Sequence, residues 1–553
     1  MKKLICYTVL LSASVLLLQG CNYENERTET NPHYETPKLV IGIMVDQMRH
    51  DYIYRYWDKY GDDGIKRLVN EGFSFDNARF DYMPTFTGPG HASVYTGTTP
   101  TVHGIIGNSW YLRDEDRTTY VTGDPDVSGV GTDSDEGKMS PRWLLSSTIT
   151  DELMMHTNMR SKVVGMALKD RGSILPAGHI GDAYWFDYGN AKMISSTFYM
   201  DELPGWVEEF NARDLPAQYV SEAWETLLPI EEYIESIEDD NPYEGTFNGQ
   251  DRPVFPHDLP AYAEISGNGI VANTPFGDKY TFEFLYAAIE GEQLGRNEIT
   301  DFAAVSFSSP DHIGHRYGPP SIEVQDTYLR FDREIARLLN YIDEEFGKEN
   351  VLVFLTSDHG AGHNARYLED LQVPTGRFLR NDIADALSSR MMEIYGFDPV
   401  QSLRAIEVYL DHEMIRNNGA RLENVQKDVA NFLIEQEGVA GALTADALRY
   451  NSFTEAMHRN AQRGYNASRS GDVMYWLDPQ WFTSNQTTGT THGSPYSYDT
   501  RAPLIWYGYD ISPGRSHTPV FISDIASTLA NFLNIPFTSG NTGNPMNDYI
   551  YQR

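Results

Sequence analysis

The chain has 553 residues, with 43 Lys or Arg against 79 Asp or Glu, so its formal net charge is −36. This acidic balance excludes nucleic-acid binding through a basic face and suits a soluble surface in an extracytoplasmic setting. It says little about what a single site binds, because the charges within a site can outweigh the net charge of the chain.

The first 21 residues have the features of an export signal. Lys2 and Lys3 precede an apolar run from Leu4 to Leu18, which is short for a membrane-spanning helix. The run ends in Leu18-Gln19-Gly20-Cys21, which resembles a bacterial lipobox. We therefore expect Cys21 to carry lipid and to become the first residue of the mature chain. The alternative is a plain signal peptide with a chance cysteine.

Export of the chain would also determine which cysteines remain in the mature protein and where that protein is located. The two cysteines are Cys6, which would leave with the signal, and Cys21, so the mature chain has no disulfide. Its stability must then come from the core and from bound metal. Residues 22–37 are polar and predict a disordered tether. We expect a periplasmic or outer-membrane-anchored lipoprotein that is a monomer.

Five short apolar runs are typical of buried strands: residues 39–45, Lys162 to Leu168, Phe302 to Phe307, Val351 to Leu355 and Leu504 to Tyr507. Their Val, Ile and Phe content indicates parallel strands covered on both faces. Apolar residues at three- and four-residue steps from Tyr328 to Phe346 predict an amphipathic helix that ends at Gly347. Strand, helix and strand form a βαβ unit, so the predicted class is α/β with a mainly parallel central sheet flanked by helices.

Residues 38–553 are predicted to form a single catalytic domain, although the length alone would suggest several. Asp46 and His492 lie near opposite ends of the chain, and if they share a site then both ends belong to one fold. Two stretches with weaker periodicity, near 175–300 and 365–480, are predicted to be cap insertions. The second contains a predicted helix from Leu422 to Glu435.

The segment Asp311-His312-Ile313-Gly314-His315 contains the first metal-type cluster. Asp311 and His315 are four residues apart, which places them on one face of a helical turn. They can bind one ion together, and His492 can complete three protein ligands. Three ligands with an open fourth position are typical of a catalytic zinc site.

The segment Thr356-Ser357-Asp358-His359-Gly360 contains the second cluster. Asp358 and His359 could hold a second ion together with Asp46. A lone Asp-His pair is usually structural, but two such pairs at strand ends favour metal binding. Asp46, Asp311 and Asp358 each follow a predicted strand, where open α/β sheets bind their ligands.

The segment from Met83 to His91 precedes a predicted helix. Thr87 is predicted at its N-cap, with Pro89 in the first turn. Thr87 is either only a capping residue or a nucleophile, because a helix N-terminus favours an arriving anion and a metal or base can activate a hydroxyl. Thr85 is the rival nucleophile by composition, and His91 is predicted either to pack in the core or to support the site residues from behind.

Lys169 and Arg171 flank Asp170 just after a predicted strand. On extended chain, residues two apart point the same way, so both side chains could reach one anion. The alternative is a solvated pair of loop charges. Asn108, in Gly107-Asn108-Ser109, is either a turn residue or a ligand-binding residue.

With these motifs in order along nearly the whole mature chain, the sequence resembles the alkaline phosphatase superfamily. It is most similar to the bacterial phosphate-irrepressible zinc alkaline phosphatases that use a threonine nucleophile. The resemblance implies an alkaline-phosphatase-like fold, two Zn²⁺ and a phosphothreonine intermediate. It implies that Thr87, in Thr-x-Pro-Gly-His, is the nucleophile rather than Thr85. The remaining implied roles are as follows: Asp311, His315 and His492 hold the first zinc; Asp46, Asp358, His359 and Thr87 hold the second; Asn108, Lys169 and Arg171 hold the phosphoryl oxygens.

Charge counting favours a monoester substrate of broad specificity. Two Zn²⁺ offset three aspartates and a threonine alkoxide, and Lys169 and Arg171 then match the two charges of a monoester dianion. A phosphodiesterase or nucleotide pyrophosphatase of the same superfamily is the nearest alternative, because it shares the ligands and the threonine. A sulfatase is disfavoured, since no mature cysteine lies near Thr87. A non-enzymatic zinc-containing surface lipoprotein is the alternative of another class.

Overall fold

The computed structural model describes residues 36–483 and 487–550. The predicted signal peptide, the predicted lipidation site Cys21 and all of the predicted tether except Thr36 and Pro37 lie outside the described residues. Within the described ranges, no helix combines the length and the apolar character that crossing a bilayer requires.

A ten-stranded sheet forms the centre of the described chain. In chain order its strands are β1 (Leu39–Val45), β2 (Phe73–Phe75), β3 (Gly129–Val130), β4 (Val163–Ala167), β5 (Asp182–Asp187), β6 (Lys192–Ser196), β7 (Asp301–Phe307), β8 (Val351–Thr356), β9 (Leu504–Gly508) and β10 (Gly514–Ser516). Their spatial order is β10-β2-β9-β8-β1-β7-β4-β5-β6-β3. The middle of this sheet, from β8 to β5, is parallel.

All five predicted strands are confirmed as strands, and the predicted α/β class with a mainly parallel sheet is correct. The expectation that Leu504–Tyr507 runs parallel to the others is wrong, because β9 is antiparallel to β8, with Leu504 opposite Thr356. A strand buried on both faces has an almost continuous apolar sequence in either direction. The apolar pattern therefore could not reveal the orientation of β9.

Alternating side chains of β1 show how both faces of the sheet are covered. Leu39, Ile41 and Ile43 belong to one hydrophobic cluster, and Val40 and Met44 belong to another on the opposite face. The first cluster includes the apolar stripe of the long helix between β7 and β8. The second includes apolar residues of the helices Thr87–Thr96 and Asp524–Leu533.

Four helices position the candidate site: α1 (Thr87–Thr96), α2 (Asp170–Ala177), α3 (Ser309–Tyr317) and α4 (Ile322–Glu345). The predicted amphipathic helix is confirmed as α4, which begins earlier than its apolar stripe suggested. Ser321 caps it by accepting a hydrogen bond from the Val324 backbone N–H at 3.2 Å. Gly347 follows the helix with φ +78°, a conformation that suits glycine.

Other helices of eight or more residues lie at Ile149–His156, Gly205–Ala212, Leu259–Ser266, Pro275–Gly291, Arg380–Tyr395, Leu422–Ile434, Ala456–Gly464 and Asp524–Leu533. Residues 182–196, within the first predicted insertion, form β5 and β6 of the central sheet. Within the second, the strands Val400–Arg404, Glu407–Leu410, Val439–Thr444 and Val473–Leu477 form a separate antiparallel sheet. The boundaries of the domain and its insertions stay predictions.

Candidate active site

The carboxyl ends of three adjacent parallel strands bring the predicted metal ligands together. Asp46 follows β1, Asp311 lies in the first turn of α3 after β7, and Asp358 and His359 follow β8. The Asp46 backbone N–H donates to the Phe307 carbonyl at 3.0 Å, which joins the ends of β1 and β7. Because neighbouring parallel strands end at the same edge of a sheet, these side chains converge although they are far apart in sequence.

Asp311, His315 and His492 form one cluster, which we name the Asp311 group, and their ligand atoms all lie within 4.8 Å of one another. The Asp311 Oδ1 atom is 3.2 Å from His315 Nε2 and 3.7 Å from His492 Nε2. The four-residue spacing on α3 puts Asp311 and His315 on one face, as predicted. The His315 side chain is 36% exposed, so solvent reaches this group.

Asp46, Asp358 and His359 form the second cluster, which we name the Asp46 group, and their ligand atoms also lie within 4.8 Å of one another. His359 Nε2 is 3.4 Å from Asp46 Oδ1 and 3.4 Å from Asp358 Oδ2. All three residues are completely buried. The rings of His359 and His492 stack with centroids 3.5 Å apart, so the two groups adjoin.

The three histidines share one tautomer. Each Nδ1 lies within hydrogen-bond distance of a backbone carbonyl: His315 with Thr490 at 2.8 Å, His359 with Gly360 at 2.9 Å, and His492 with Thr85 at 2.8 Å. Because a carbonyl can only accept, Nδ1 carries a proton, and each ring in its neutral form then directs the Nε2 lone pair into the cluster. Histidine ligands of metals are commonly oriented in this way.

The buried carboxyl groups need more positive charge than the protein supplies. Lys169 Nζ donates to Asp46 Oδ2 at 2.6 Å and also contacts Asp311 Oδ2. Burial and the neighbouring Asp46 charge raise the pKa of Asp358 well above its ordinary value. For Asp311, burial favours the neutral form, but His315 and Lys169 lower its pKa well below the ordinary value. The Lys169 ammonium therefore contacts two of the three buried carboxyl groups, Asp46 and Asp311, at this edge of the sheet.

Two carboxylate oxygens are also poised to accept a cation. Asp46 Oδ1 and Asp358 Oδ2 are buried and have no hydrogen-bond partner among the described residues. Buried polar atoms without a partner are rare in folded proteins and call for an explanation such as a bound ion. Together with the Nε2 lone pairs, these atoms make both groups candidate metal sites, and mixed Asp and His ligands suit zinc.

Thr87 begins helix α1, beside the Asp46 group. The prediction that Thr87 is the N-cap is wrong: the cap is Phe86, which has extended backbone and accepts the first intrahelical hydrogen bond from Gly90 N–H at 2.9 Å. The Thr87 hydroxyl is therefore not used for capping, and Oγ1 lies 3.5 Å from His359 Nε2. The rival Thr85 instead donates its hydroxyl to the Ser494 carbonyl at 3.0 Å.

Helix α1 packs so closely on the end of β8 that Gly90 has no room for a side chain. A Cβ atom there would lie 2.5 Å from the Asp358 carbonyl oxygen and 2.6 Å from Asp358 Cβ. We expect Gly90→Ala to displace Thr87 from the Asp46 group, to lower stability by about 1–3 kcal/mol and to reduce activity. Gly205→Ala is the control, because a Cβ there meets nothing within 4 Å. Thermal unfolding and turnover that match in the two variants would contradict this close packing.

The prediction that Lys169 and Arg171 lie on extended chain is wrong, because helix α2 begins at Asp170, between them. Lys169 is the residue before the helix, Asp170 begins it, and Arg171 is its second residue. An acidic first residue stabilises a helix N-terminus, which helps to explain why a helix begins at Asp170. The two side chains make different contacts: Lys169 reaches Asp46 and Asp311, whereas Arg171 Nη1 donates to the Tyr120 hydroxyl at 2.8 Å.

Asn108 connects a neighbouring hairpin to the first turn of α1. Its Oδ1 atom accepts a hydrogen bond from the Gly88 backbone N–H at 2.8 Å, one residue beyond Thr87. The amide group of Asn108 thus lies at the same helix N-terminus as the Thr87 hydroxyl. His91 is a buried packing residue, as predicted, with Nδ1 2.9 Å from the Thr87 carbonyl and Nε2 2.8 Å from Ser306 Oγ.

Gln47 is a site residue that the sequence did not reveal. Its side-chain amide donates to Asp311 Oδ1 at 2.5 Å and its backbone N–H donates to Asp358 Oδ1 at 3.1 Å. It therefore bridges the two ligand groups directly after Asp46. Its φ of +65° is uncommon for a residue with a side chain, and such positions cluster at functional sites. Only its position next to Asp46 could have indicated this role.

Comparisons with known proteins show which family the chain belongs to. The family model for type I phosphodiesterase / nucleotide pyrophosphatase matches residues 40–509. A Myroides odoratus protein named calcium-transporting ATPase is 43% identical over 98% of this chain and 99% of its own length. Alkaline phosphatase PafA of Elizabethkingia meningoseptica is 42% identical over 93% of this chain and 94% of its own. Alkaline phosphatase PhoV of Synechococcus elongatus is 40% identical over 99% of both chains.

A solved structure of wild-type alkaline phosphatase PafA has a TM-score of 0.90 to this chain at 42% identity, and it covers 93% of this chain and 99% of its own. The relationship to ectonucleotide pyrophosphatases is more distant, since human family member 1 is 22% identical over 64% of this chain. The described strands, helices and ligand groups thus occur in a chain that belongs to the type I phosphodiesterase / nucleotide pyrophosphatase family of the alkaline phosphatase superfamily.

Proposed function

We propose that this protein hydrolyses phosphate monoesters through a phosphothreonine on Thr87, with two Zn²⁺ held by the Asp311 group and the Asp46 group. It is an alkaline phosphatase, because two enzymes of that name are 40–42% identical over 93–99% of the chain. The number and identity of the metal ions, the nucleophile and the residues that hold the phosphoryl oxygens are parts of the proposal. Broad specificity for monoesters is also proposed.

The observation that carries the proposal is the position of one hydroxyl beside two adjoining ligand groups. Thr87 Oγ1 lies 3.5 Å from His359 Nε2, and His359 stacks on His492 of the Asp311 group. A nucleophile on one side and a second cation site on the other are what an in-line displacement at phosphorus requires. A purely structural metal protein has no need of a free hydroxyl at this place.

The reaction follows as two displacements. Bound zinc lowers the pKa of a coordinated hydroxyl or water and stabilises a leaving oxygen. In the first displacement the bond from Thr87 Oγ to phosphorus forms, and the ester oxygen leaves with its electron pair and takes up a proton. In the second, a water oxygen bonds to phosphorus, the Thr87 Oγ–phosphorus bond breaks, and inorganic phosphate is released. The exposure of His315 gives that water access on the side of the Asp311 group.

Three polar side chains around the site would hold the phosphoryl oxygens. The Asn108 amide lies at the N-terminus of α1, and the Arg171 guanidinium lies at the start of α2. Without metal, the Lys169 ammonium donates hydrogen bonds to Asp46 and Asp311. Once these carboxylates bind metal, the ammonium becomes available to a phosphoryl oxygen. Such donors stabilise the charge that spreads over the equatorial oxygens during transfer.

The phosphodiesterase alternative is tested with a monoester and a diester that share one aryl leaving group. The native enzyme is expected to have the higher kcat/KM on the monoester, because a dianion matches the combined charge of Lys169 and Arg171. A preference for the diester would contradict the monoesterase proposal. Failure to release phosphate or alcohol from either substrate would support the non-enzymatic alternative.

Arg171→Ala is expected to lower kcat/KM on the monoester by at least about tenfold, since a charge-assisted bidentate contact is lost. The loss on the diester should be smaller, because one of its phosphoryl oxygens already bears an organic group. Arg117→Ala is the matched control, since Arg117 is half exposed and pairs with Glu115. Equal losses on both substrates would contradict a role for Arg171 in holding the monoester dianion.

We also propose that the protein is exported, carries lipid on Cys21 and remains a monomer. The support for export and for the lipid lies in the sequence of residues 1–21, which is outside the described chain. Mass spectrometry of the mature N-terminus would reveal acylated Cys21, and Cys21→Ser should release the protein from membranes. Light scattering of the purified enzyme measures the oligomeric state.

A further inference from the structure

A chain of hydrogen bonds links Arg171 to a nearby hairpin. Arg171 Nη1 donates to the Tyr120 hydroxyl at 2.8 Å, and the Tyr120 hydroxyl donates to Asp170 Oδ1 at 2.8 Å. Thr122 donates its hydroxyl to the other oxygen of the same carboxylate. The Arg171 side chain is only 16% exposed, so these contacts are shielded from water.

The direction of each hydrogen bond is determined by the chemistry of the groups. A guanidinium can only donate and a carboxylate can only accept, so the Tyr120 hydroxyl must accept from Arg171 and donate to Asp170. Burial raises the pKa of Tyr120, which keeps the phenol protonated as this arrangement requires. A phenylalanine ring could fill the same space but could neither accept nor donate.

The rest of Arg171 remains available to a ligand. Its Nε atom is buried and has no hydrogen-bond partner among the described residues. The only protein hydrogen bond found for this guanidinium in the described chain is the one to Tyr120, and the nearest Asp170 oxygen is 4.0 Å from Nη1. The Tyr120 hydroxyl therefore holds one corner of the guanidinium while other N–H groups stay unused.

The hairpin that carries Tyr120 also carries Asn108. Its strands are Ser109–Leu112 and Arg117–Tyr120, with Ser109 opposite Tyr120, and the Val121 backbone N–H donates to the Asn108 carbonyl at 3.0 Å. Asn108 and Tyr120 thus lie on opposite strands at the open end of one hairpin. One reaches the N-terminus of α1 and the other reaches the N-terminus of α2.

We propose that Tyr120 is a positioning residue, which orients the Arg171 guanidinium towards the phosphoryl group and places it in register with Asn108 through their shared hairpin. This proposal rests on the proposed function, because it assumes that Arg171 binds the monoester dianion. Tyr120 itself need not touch the substrate. The contribution of the Tyr120 hydroxyl to kcat/KM should then depend on Arg171. It should be greater for a dianionic monoester than for a monoanionic diester.

The test is a double-mutant cycle of Tyr120→Phe and Arg171→Ala on the paired aryl monoester and diester. Tyr120→Phe alone should lower kcat/KM on the monoester roughly tenfold, as expected when one hydrogen bond to a charged group is removed. On the diester, the fold-decrease in kcat/KM should be less than about half of the fold-decrease on the monoester. In the Arg171→Ala background, Tyr120→Phe should have almost no further effect. Inhibition by inorganic phosphate should weaken in parallel with the monoester activity.

Tyr111→Phe is the matched control, because Tyr111 lies in the same hairpin and donates its hydroxyl to Asp116 at 2.5 Å. It should leave both activities unchanged, and equal melting temperatures would show that each variant is folded. A Tyr120→Phe effect of the same size with and without Arg171, or equal on both esters, would overturn the positioning role. If the native enzyme hydrolyses neither ester, the proposed function fails instead.

Discussion

Replacing Thr87 with alanine is expected to lower kcat on a phosphate monoester by on the order of a thousandfold or more, as nucleophile removal does in enzymes that form a covalent intermediate. The metal content should remain nearly that of the native enzyme, because the Asp311 group and the Asp46 group keep all six Asp and His ligands. Steady-state kinetics with elemental analysis of the same sample measures both quantities. Turnover close to that of the native enzyme in Thr87→Ala would remove Thr87 from the role of nucleophile.

Two further variants make this test specific. Thr87→Ser keeps a hydroxyl at the first position of α1 and should retain far more activity than Thr87→Ala. Thr85→Ala removes a hydrogen bond to the Ser494 carbonyl and should have a modest effect by comparison. Trapping with a fast-reacting ester and mass mapping should find phosphate on the peptide that contains Thr87. Phosphate found on Thr85 would make Thr85 the nucleophile in place of Thr87.

Removal of metal is expected to abolish monoesterase activity and to lower the melting temperature. Without bound cations, Asp46, Asp311 and Asp358 are buried together, and Lys169 is the one Lys or Arg among the described residues that forms a salt bridge with any of them. Binding to the folded state alone stabilises it by about 3–4 kcal/mol at a hundred to a thousand times Kd, and chelation removes this contribution. Activity and thermal unfolding are measured on the same dialysed sample.

Adding single metal ions to the metal-free protein identifies the metal that the site uses. Zn²⁺ should restore activity and stability together, and two equivalents per chain should suffice. His492→Ala should lose one equivalent and most activity, since the Asp311 group would retain two ligands. Full activity in a sample shown by elemental analysis to contain no metal would contradict the two-metal proposal. If another ion restores activity and Zn²⁺ does not, that ion takes the place of zinc in the proposal. The two ligand groups then stay as proposed.

The sequence predicted those parts of the site that depend on local spacing. Asp311 and His315 are one helical turn apart, and Asp46 and Asp358 each follow a buried strand, so strand ends and helix periodicity were sufficient to group them. The central strands were equally clear, because both faces of the sheet are covered by apolar clusters.

Other parts depend on contacts between distant segments and leave no mark in local spacing. The cap of α1 is Phe86 because the chain enters the helix with extended backbone one residue earlier than a capping threonine would imply. Lys169 and Arg171 have different protein partners: a helix starts between them, Lys169 contacts Asp46 at the end of β1, and Arg171 contacts Tyr120 of the hairpin. Gln47 and Tyr120 belong to no recognisable motif, since their roles arise only when the strand ends and the hairpin come together.

The order of the ligands along the chain has a consequence for biosynthesis. Asp46 follows the first strand of the sheet, whereas His492 is encoded shortly before β9. A growing polypeptide on the ribosome therefore carries Asp46 and the other proposed site residues well before His492 is made. A translation product that stops before His492 lacks one member of the Asp311 group and also the strand that closes one side of β8. The complete pocket can form only after synthesis has passed His492 and these distant segments have folded together.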